Sequence, residues 1–407
     1  MGNWVGTINL VNDLVGMEDG CMKSNLNSSF YILILLLLFV GHAQASNIVE
    51  ITVDELGIPF VLDDEGHVWG FRKPFSLEEP VKLPHLEHIK KIAPYIAIDA
   101  DGRVFTWGIK DSLVQEDQNS IAKAGYTAPK RVENLQGVTM VAHSLNHFFA
   151  VINNQEIVEW LEIRKKRGYE IESYGPIRKI ISRAGVKAIA ASPGEIERVV
   201  AEPYPYGLVA LFDDGTVMGW GITSTGQIVK EAATPSIELT KSPWAIGIAM
   251  NAFHTVILSA QGVPQFWGGC DLYGRGLGGR PWKYGHVQGV DGYVTDVKGM
   301  ALAQHRVLGP TGWGSDNDKQ DVFIKHDGTV WLAYAPIPEN TPGFECSQDN
   351  RTIKYRQAQQ LLAGKAAAVQ VAVGWSNILM LDADHNLWLS QGSYMHTEFR
   401  KVMINLK

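Results

Sequence analysis

The sequence predicts an all-β fold, a seven-bladed β-propeller, from three observations. A short hairpin pattern recurs along the chain, the strand before each hairpin turn is apolar on both faces, and a tryptophan follows each turn. The chain has 407 residues, of which 45% are hydrophobic, and it contains 41 glycines and 12 tryptophans. Many glycines and tryptophans with modest charge are typical of turn-rich β architectures.

The hairpin pattern is clearest in segment 101–108, Asp-Gly-Arg-Val-Phe-Thr-Trp-Gly, and segment 214–221 repeats it. Asp-Gly accommodates the positive φ angles that a tight turn between strands requires. Weaker copies complete the series, and the turn positions are 66, 102, 155, 215, 262, 328 and 385. Seven copies at spacings close to the length of a four-stranded sheet predict seven blades.

The strand before each turn is apolar at the fourth, fifth and sixth positions before it, in every copy. Consecutive apolar residues in a strand point to both faces of the sheet. The tryptophans follow the turn at its third or fifth position, so they share one face: Trp69, Trp107, Trp160, Trp220, Trp267, Trp331 and Trp388. A sheet that is apolar on both faces needs a neighbour on each side, which a closed ring supplies.

The two ends of this repeat region predict how the ring closes. The C-terminal segment 400–406 resembles segment 129–135, which precedes an inner strand, and 48–53 reads as an inner strand itself. We therefore expect the last strand to pair into the first blade and to remove a free sheet edge.

The N-terminal region predicts export. Lys23, the apolar run 30–40 and the Ala-Gln-Ala ending at 43–45 form a signal peptide over residues 22–45, with cleavage after Ala45. Residues 1–21 form an upstream leader outside the mature protein, and 46–407 form the propeller. A membrane anchor or a buried helix is the alternative for the apolar run, which is short for a bilayer span. We expect a secreted or periplasmic protein without stable membrane insertion.

The net charge of −7 gives no general attraction to nucleic acid. Cys270 and Cys346 remain after cleavage, and an exported protein permits a disulfide between them. Whether the two side chains approach each other stays open at the level of sequence.

Three short motifs are compatible with ligand chemistry, but each has a simpler interpretation. Segment 274–279 fits Gly-x-Gly-x-x-Gly without a helix after it. Segment 316–321 alternates carboxylates as a calcium loop does, but it lacks the central glycine. His85 and His88 lie in a surface connection without further ligands nearby. We predict no cofactor, no metal site and no catalytic residue.

Two further features are interpreted as structural. His147 and His254 occupy one repeat position, which favours core or turn histidines bonded to the backbone. The basic cluster 164–167 reads as a solvated loop. Segment 336–364 reads as an insertion that is partly helix-like over 355–362.

The long connections carry residue types that anchor protein interfaces, namely tyrosine, tryptophan and arginine. The predicted binding residues are Tyr204, Tyr206, Tyr273, Arg275, Trp282, Tyr284 and Trp313. Packing of these side chains back onto the blades is the alternative.

Segment 220–228, Trp-Gly-Ile-Thr-Ser-Thr-Gly-Gln-Ile, resembles the Trp-Gly-x-Asn-x-x-Gly-Gln-Leu signature of regulator-of-chromosome-condensation repeats, with Thr223 in place of asparagine. His147, His254 and Asn377 match its upstream polar position, and the resemblance covers about residues 48–407. It implies a propeller. It does not imply one function, because the family includes a GTPase exchange factor, modules linked to kinases and ubiquitin ligases, and secreted β-lactamase inhibitors.

These observations predict a monomeric, non-catalytic propeller that binds a protein partner outside the cytoplasm through loops at one end of the ring. Two alternatives remain. One is an enzyme acting on a glycan or another extracellular polymer in the central depression. The other is a small-GTPase exchange factor that is delivered into a host cell.

Overall fold

The computed structural model of the protein describes residues 46–54, 57–71, 77–78, 80–110, 125–144, 147–164, 171–193, 206–221, 237–241, 245–251, 254–268, 285–286, 288–289, 292–293, 295–302, 320–334, 356–362, 366–374, 378–391, 398–404 and 406. Every regular element in these ranges is a β-strand. None of them contains a helix of the length and apolarity needed to cross a membrane.

The first half of the described chain forms three sheets, numbered here in chain order. Sheet 1 contains β1 (Ile48–Val53), β2 (Pro59–Asp63), β3 (Val68–Phe71) and β4 (Pro80–Lys82). Sheet 2 contains β5 (Ile89–Ala93), β6 (Ile96–Asp99), β7 (Val104–Thr106) and β10 (Lys130–Arg131), and a short ladder of β8 (Ile109–Lys110) and β9 (Gly125–Tyr126) extends it. Sheet 3 contains β11 (Val138–Ser144), β12 (His147–Ile152), β13 (Glu156–Arg164), β14 (Ile171–Tyr174) and β15 (Arg178–Ser182).

The second half forms four more sheets of the same kind. Sheet 4 contains β16 (Val186–Pro193), β17 (Tyr206–Phe212), β18 (Thr216–Gly221) and β19 (Ile237–Lys241). Sheet 5 contains β20 (Ala245–Met250), β21 (His254–Ser259), β22 (Pro264–Gly268) and β23 (Gly285–His286), followed by a ladder of β24 (Gln288–Gly289) and β25 (Gly292–Tyr293). Sheet 6 contains β26 (Val297–Leu302), β27 (Gln320–Lys325), β28 (Val330–Tyr334) and β29 (Arg356–Leu362). Sheet 7 contains β30 (Ala368–Val373), β31 (Ile378–Asp382), β32 (Leu387–Gln391) and β33 (Glu398–Val402).

Antiparallel pairing gives each sheet two distinct ends. We call the end with the tight turn between the second and third strands the turn end. The opposite end, where the first strand connects to the second and the third to the fourth, is the loop end. The first strand of each sheet approaches the first strand of the next, so these seven inner strands surround the centre. This arrangement is an all-β propeller, as the sequence predicts.

The predicted apolar positions form the cores between neighbouring sheets. At the fourth, fifth and sixth positions before every turn, the side chains are at most 3% exposed. In β27, Val322 and Ile324 pack toward sheet 7, whereas Phe323 packs toward sheet 5. Each second strand therefore contributes to two cores, one on either side of its sheet, as predicted.

The tryptophans after the turns whose side chains are described share one face, again as predicted. Trp220 of sheet 4 lies in the core shared with sheet 3, and Trp69 of sheet 1 lies in the core shared with sheet 7. Trp331 and Trp388 pack toward the preceding sheet in the same way. These large side chains therefore fill the interface with the preceding sheet.

Closure of the ring differs from the prediction. The C-terminal strand β33 pairs with β32 in sheet 7, whereas the described partner of β1 is β2. The expected pairing of the last strand into the first blade is wrong, because β4 already supplies the fourth strand of sheet 1. Segment 129–135 contains β10, a fourth strand, so its resemblance to 400–406 indicated an outer strand and not a closing one.

Sheets 7 and 1 instead meet by packing. Ile51 and Val53 of sheet 1 share a core with Leu379 and Leu389 of sheet 7, and Ile404 packs against it. The Gln370 side chain accepts a hydrogen bond from Ile51 N at 3.0 Å and donates one to Ile51 O at 2.9 Å. Apolar burial and side-chain bonds to the backbone therefore join the first and last sheets.

The inner strands share a bulge at their second residue. The pairing register shifts there in all seven sheets, and in sheet 1 the shift falls between Ile48 and Glu50. A bulge inserts one unpaired residue and bends the strand. The apolar residues on either side of it are three positions apart instead of two, as Ile89 and Ile92 are in sheet 2.

The prediction that segment 355–362 is helix-like is wrong, because Arg356–Leu362 forms β29 and pairs with β28. Its alanine, glutamine and leucine residues favour a helix in isolation. Hydrogen bonding to the edge of sheet 6 overrides that local preference.

Candidate binding surfaces

The two ends of the sheets carry connections of different length. At the turn end, three or four residues separate the second strand from the third, as between Asp99 and Val104. At the loop end, the connections include the long segments 194–205, 222–236, 269–284, 303–319 and 335–355. Binding residues concentrate on loops that a rigid framework holds, so the loop end is the first candidate surface.

The predicted binding residues fall on these loop-end connections. Tyr206 is the first residue of β17. The other six lie outside the described residues: Tyr204, Tyr273, Arg275, Trp282, Tyr284 and Trp313. Cys270 and Cys346 also lie outside them. The prediction that these side chains bind a partner therefore stays a prediction.

The strand ends next to these residues lie in three consecutive sheets. Pro193 pairs with Tyr206 in sheet 4, Phe266 pairs with Gly285 in sheet 5, and Leu302 pairs with Asp321 in sheet 6. Sheet 4 packs on sheet 5 and sheet 5 on sheet 6. The connections 194–205, 269–284 and 303–319 therefore begin and end at the same end of the ring, in neighbouring sheets.

The histidines singled out from the sequence occupy different environments. His147 is buried at the start of β12, and its ring centroid lies 6.2 Å from that of Phe149, which fits the core interpretation. His85 and His88 are exposed in the connection between sheets 1 and 2, and both have positive φ. His254 begins β21.

The other sequence motifs are mostly outside the described part of the chain. This holds for segments 274–279 and 222–228 and for Asn377. Of the calcium-like segment 316–321, Asp321 is described, and it lies buried in β27. Of the basic cluster, Arg164 is described as the last residue of β13.

Buried aspartates at the turn end stabilise the hairpin turns, a role that sequence reasoning missed. Asp382 accepts hydrogen bonds from the backbone N of Asp384 and Asn386 and from Trp388 Nε1 at 2.8 Å. Asp63 accepts the equivalent bonds from Glu65 N, His67 N and Trp69 Nε1. The spacing Asp-x5-Trp in both copies was the signal in the sequence.

One group in the turn of sheet 1 contains the residue types that bind metals. Ligand atoms of Asp63, Glu65 and His67 lie within 4.8 Å of one another, and His67 Nδ1 is 3.2 Å from Asp63 Oδ2. Both oxygens of Asp63 already accept the hydrogen bonds of the turn and of Trp69. The hydrogen bonds of the turn therefore explain why these three side chains lie together.

We expect Asp382→Ala to lower the free energy of unfolding by about 2–4 kcal/mol, because it leaves the Trp388 indole and two backbone N–H groups without their acceptor. Urea denaturation followed by tryptophan fluorescence measures the change. The matched control is Asp384→Ala, two residues away and exposed, which should change stability by less than about 0.5 kcal/mol. Equal effects of the two substitutions would contradict the assigned role.

At the loop end, a hydrogen bond and aromatic packing connect sheets 1 and 2. The Tyr95 hydroxyl donates a hydrogen bond to Asp54 Oδ2, and Asp54 Oδ1 accepts one from Ile58 N at 2.6 Å. The Tyr95 ring packs edge-on against Phe60 at a centroid distance of 5.2 Å. Both Asp54 and Tyr95 are buried, so they support the loop end and do not form its surface.

Glu50, at the third position of the inner strand β1, bridges to the next inner strand. Its Oε2 accepts a hydrogen bond from Ile92 N at 3.2 Å, as Gln370 in sheet 7 accepts one from Ile51 N. Burial raises the pKa of Glu50 from 4.5 to about 7, against the opposing effects of the Ile92 hydrogen bond and the Lys91 charge. Glu50 is therefore close to half-protonated at neutral pH.

We expect Glu50→Gln to stabilise the protein at high pH and to have little effect at low pH. Unfolded Glu50 ionises near pH 4.5 and folded Glu50 near pH 7, so stability falls as pH rises through this interval. Since one pH unit corresponds to about 1.4 kcal/mol, the gain should approach about 3 kcal/mol at pH 8.5. Urea denaturation of both proteins at pH 4.5 and 8.5 measures it, and a gain independent of pH would contradict the assignment.

Comparison with known proteins finds similarity in fold. No family model and no curated protein matches the sequence. Human WBSCR16 is 15% identical with a TM-score of 0.50, over 83% of this chain and 87% of that one. Yeast RCC1 (Prp20), solved bound to Kap60, is 14% identical with a TM-score of 0.43, over 84% of this chain and 69% of that one. Prp20p from Saccharomyces cerevisiae, described with its binding to Gsp1p and histones, is 14% identical with a TM-score of 0.43, over 88% and 77% of the two chains.

At such identities, similarity to solved structures concerns the fold and not the activity. The structure agrees with that similarity: it consists of β-sheets that are apolar on both faces, and the first strand of each sheet lies near the centre. The chain is an all-β propeller, and its solved structural neighbours include propellers of the regulator-of-chromosome-condensation type that its sequence resembles.

Proposed function

We propose that this protein is a non-catalytic propeller that binds a protein partner through the loop end of sheets 4, 5 and 6. The observation that supports the proposal is that the strand ends flanking three segments, each with interface-type aromatic or arginine residues in its sequence, lie at one end of consecutive sheets. A rigid framework lowers the entropic cost of holding several loops as one surface.

We further infer that the ring has seven blades. Seven sheets of four or five strands are present in the described residues, and shared cores connect them in sequence from sheet 1 to sheet 7. The core between sheets 7 and 1 supports closure of the circle. Density for the ring viewed along its axis by electron microscopy would count the blades directly.

We propose that the protein acts outside the cytoplasm, in a secreted or periplasmic location. The signal-peptide pattern over residues 22–45 supports this proposal. N-terminal sequencing of the protein recovered from the exporting cell should begin at Ser46. Recovery of a chain that retains residues 22–45 in the soluble cytoplasmic fraction would contradict it.

The two alternatives make different demands on the structure. A hydrolase acting on a glycan at the centre needs a pair of carboxyl groups. In the described inner strands Glu50 is the one carboxylic acid. The exchange-factor alternative predicts accelerated nucleotide release from a small GTPase, which a release assay with a fluorescent nucleotide tests.

The main experiment is affinity capture with the exported protein as bait, followed by mass spectrometry. We expect a specific exported or surface protein to be enriched by the wild type and lost with Tyr204→Ala/Tyr206→Ala/Trp313→Ala. Truncation of aromatic anchors at an interface costs at least about 2 kcal/mol for the most important residues, so binding should fall by 30-fold or more.

The matched control is Met403→Ala, which removes an exposed apolar side chain near the C-terminus. This variant should capture the same partner as the wild type. If the triple variant and the control capture the same proteins in the same amounts, the loop end of sheets 4 to 6 is not the binding surface.

A further inference from the structure

The bulges of the inner strands form a ring of side chains at the turn end. Each bulge residue is the second residue of its inner strand, next to the hairpin turn of its own sheet. We call this set the bulge ring, and its members are Val49, Lys90, Thr139, Lys187, Ile246, Lys298 and Val369. Because the inner strands follow one another around the centre, these residues lie around it at the end opposite to the long loops.

The apolar members of the bulge ring are unusually exposed. Val49, Ile246 and Val369 are 41%, 42% and 49% exposed, and they are three of the five large hydrophobic residues that are exposed in the described part of the chain. Val369 and Val49 belong to sheets 7 and 1, which pack together. Aliphatic side chains therefore remain exposed to solvent at three of the seven equivalent positions, where a partner could cover them.

The remaining members give the bulge ring a positive charge. Lys90, Lys187 and Lys298 belong to it, and none of the seven positions carries a carboxylate. At the position after the bulge, Lys91 of sheet 2 and Glu50 of sheet 1 carry opposite charges. Lys187 Nζ donates a hydrogen bond to Ala245 O at 2.9 Å. Across the described ranges, neither Lys90 nor Lys298 forms an ion pair with a carboxylate within 4.0 Å, although the charge of Lys298 helps to lower the pKa of Asp327.

The hairpin turns outside the bulge ring carry the opposite charge. Their exposed carboxylates are Asp64, Glu65, Asp101, Asp213, Asp214, Asp327 and Asp384. Asp101 and Asp214 form ion pairs with Arg103 and Arg183. The lysines of the bulge ring are thus surrounded by turns in which the exposed carboxylates outnumber these two arginines. Such a pattern attracts an anionic group to the centre and disfavours a broad anionic surface such as a membrane or a long nucleic acid.

We propose that the bulge ring binds an acidic segment of a protein partner, an extended peptide in which carboxylate and aliphatic side chains alternate. Its carboxylates pair with the lysines, and its aliphatic side chains cover Val49 and Val369. Side chains of an extended peptide alternate between its two sides, so one side can contact the lysines while the other contacts aliphatic groups of the surrounding ring. This second surface is independent of the loop end.

The test measures binding of a fluorescein-labelled ten-residue peptide of alternating glutamate and leucine to the full chain by fluorescence anisotropy. We expect Lys90→Glu/Lys298→Glu to weaken binding by about tenfold or more, because it replaces two charge-assisted contacts with repulsion. Val49→Ser/Val369→Ser should weaken it severalfold without changing its dependence on salt.

The matched control is Lys130→Glu/Lys401→Glu, which makes the same change of charge on the exposed outer strands β10 and β33. Binding within twofold of the wild type is expected, and thermal melts check that every variant is folded. Equal weakening by both lysine pairs, or equal affinity for a glutamate–serine peptide, overturns the proposal. So does tighter binding of a single-stranded oligonucleotide with the same dependence on Lys90 and Lys298.

Discussion

Phe60→Ala is expected to lower the free energy of unfolding by about 3–5 kcal/mol, which is the usual cost of emptying a fully buried aromatic site. Phe60 is 0% exposed on β2 and belongs to the core that sheet 1 shares with sheet 2. Its ring centroid lies 5.7 Å from that of Trp107 in sheet 2 and 5.6 Å from that of Tyr126. The substitution therefore removes contacts across an interface between sheets, and urea denaturation measures the loss.

Two further variants make the test specific. Phe60→Leu keeps most of the apolar volume and should cost about 1–2 kcal/mol. Met403→Ala removes a side chain that is 86% exposed and should be close to neutral. If Phe60→Ala destabilised no more than Met403→Ala, packing between sheets 1 and 2 would not contribute to stability as described.

Gly102→Ala is expected to cost about 3 kcal/mol or more, for two reasons that act together. Gly102 has φ +73°, where a side chain is strained, and an added Cβ would lie 2.8 Å from Val138 N in the next sheet. Val138 N donates a hydrogen bond to Gly102 O at 3.1 Å, so the turn of sheet 2 directly contacts the inner strand of sheet 3. Urea denaturation compares the variant with the wild type.

A second substitution separates backbone strain from the close approach. Asparagine tolerates positive φ, but its Cβ would meet Val138 N in the same way, so Gly102→Asn should remain destabilising. The control is Gly299→Ala, where the nearest atom to an added Cβ, Ile324 Cδ1, is 3.5 Å away and little change is expected. If Gly102→Asn restored the wild-type stability, the turn would need glycine for its φ angle alone.

The same close approach recurs and explains why glycine dominates the turn position. An added Cβ at Gly66, Gly262 or Gly328 would also lie within 3.0 Å of backbone atoms of the following sheet. The sequence indicated a tight turn from Asp-Gly, but it did not indicate that the turn contacts another sheet. That contact depends on how far neighbouring sheets are rotated around the ring, which no local pattern encodes.

The bulge ring illustrates a signal that was present in the sequence and was not recognised. Apolar residues three positions apart, as in Ile48 and Ile51 or Val297 and Met300, recur at the start of every inner strand. In a regular strand such a pair would point to opposite faces, so the spacing indicates an inserted residue. The lysines and valines at those insertions were assigned no role from the sequence, because only the packing of the sheets brings them to the same end of the ring.

An all-β propeller follows from the repeat alone, because the repeat makes each hairpin apolar on both faces and every such hairpin needs a neighbour on both sides. The sequence also identified the strands that are buried and the shared face of the tryptophans. The way in which the first and last sheets meet could not be read from the repeat, since pairing of β33 with β32 depends on which sheet edge is still open. Packing likewise determines which residues lie at the same end of the ring, because the strand ends that flank the long connections of sheets 4 to 6, and the bulges of all seven sheets, are distant in sequence.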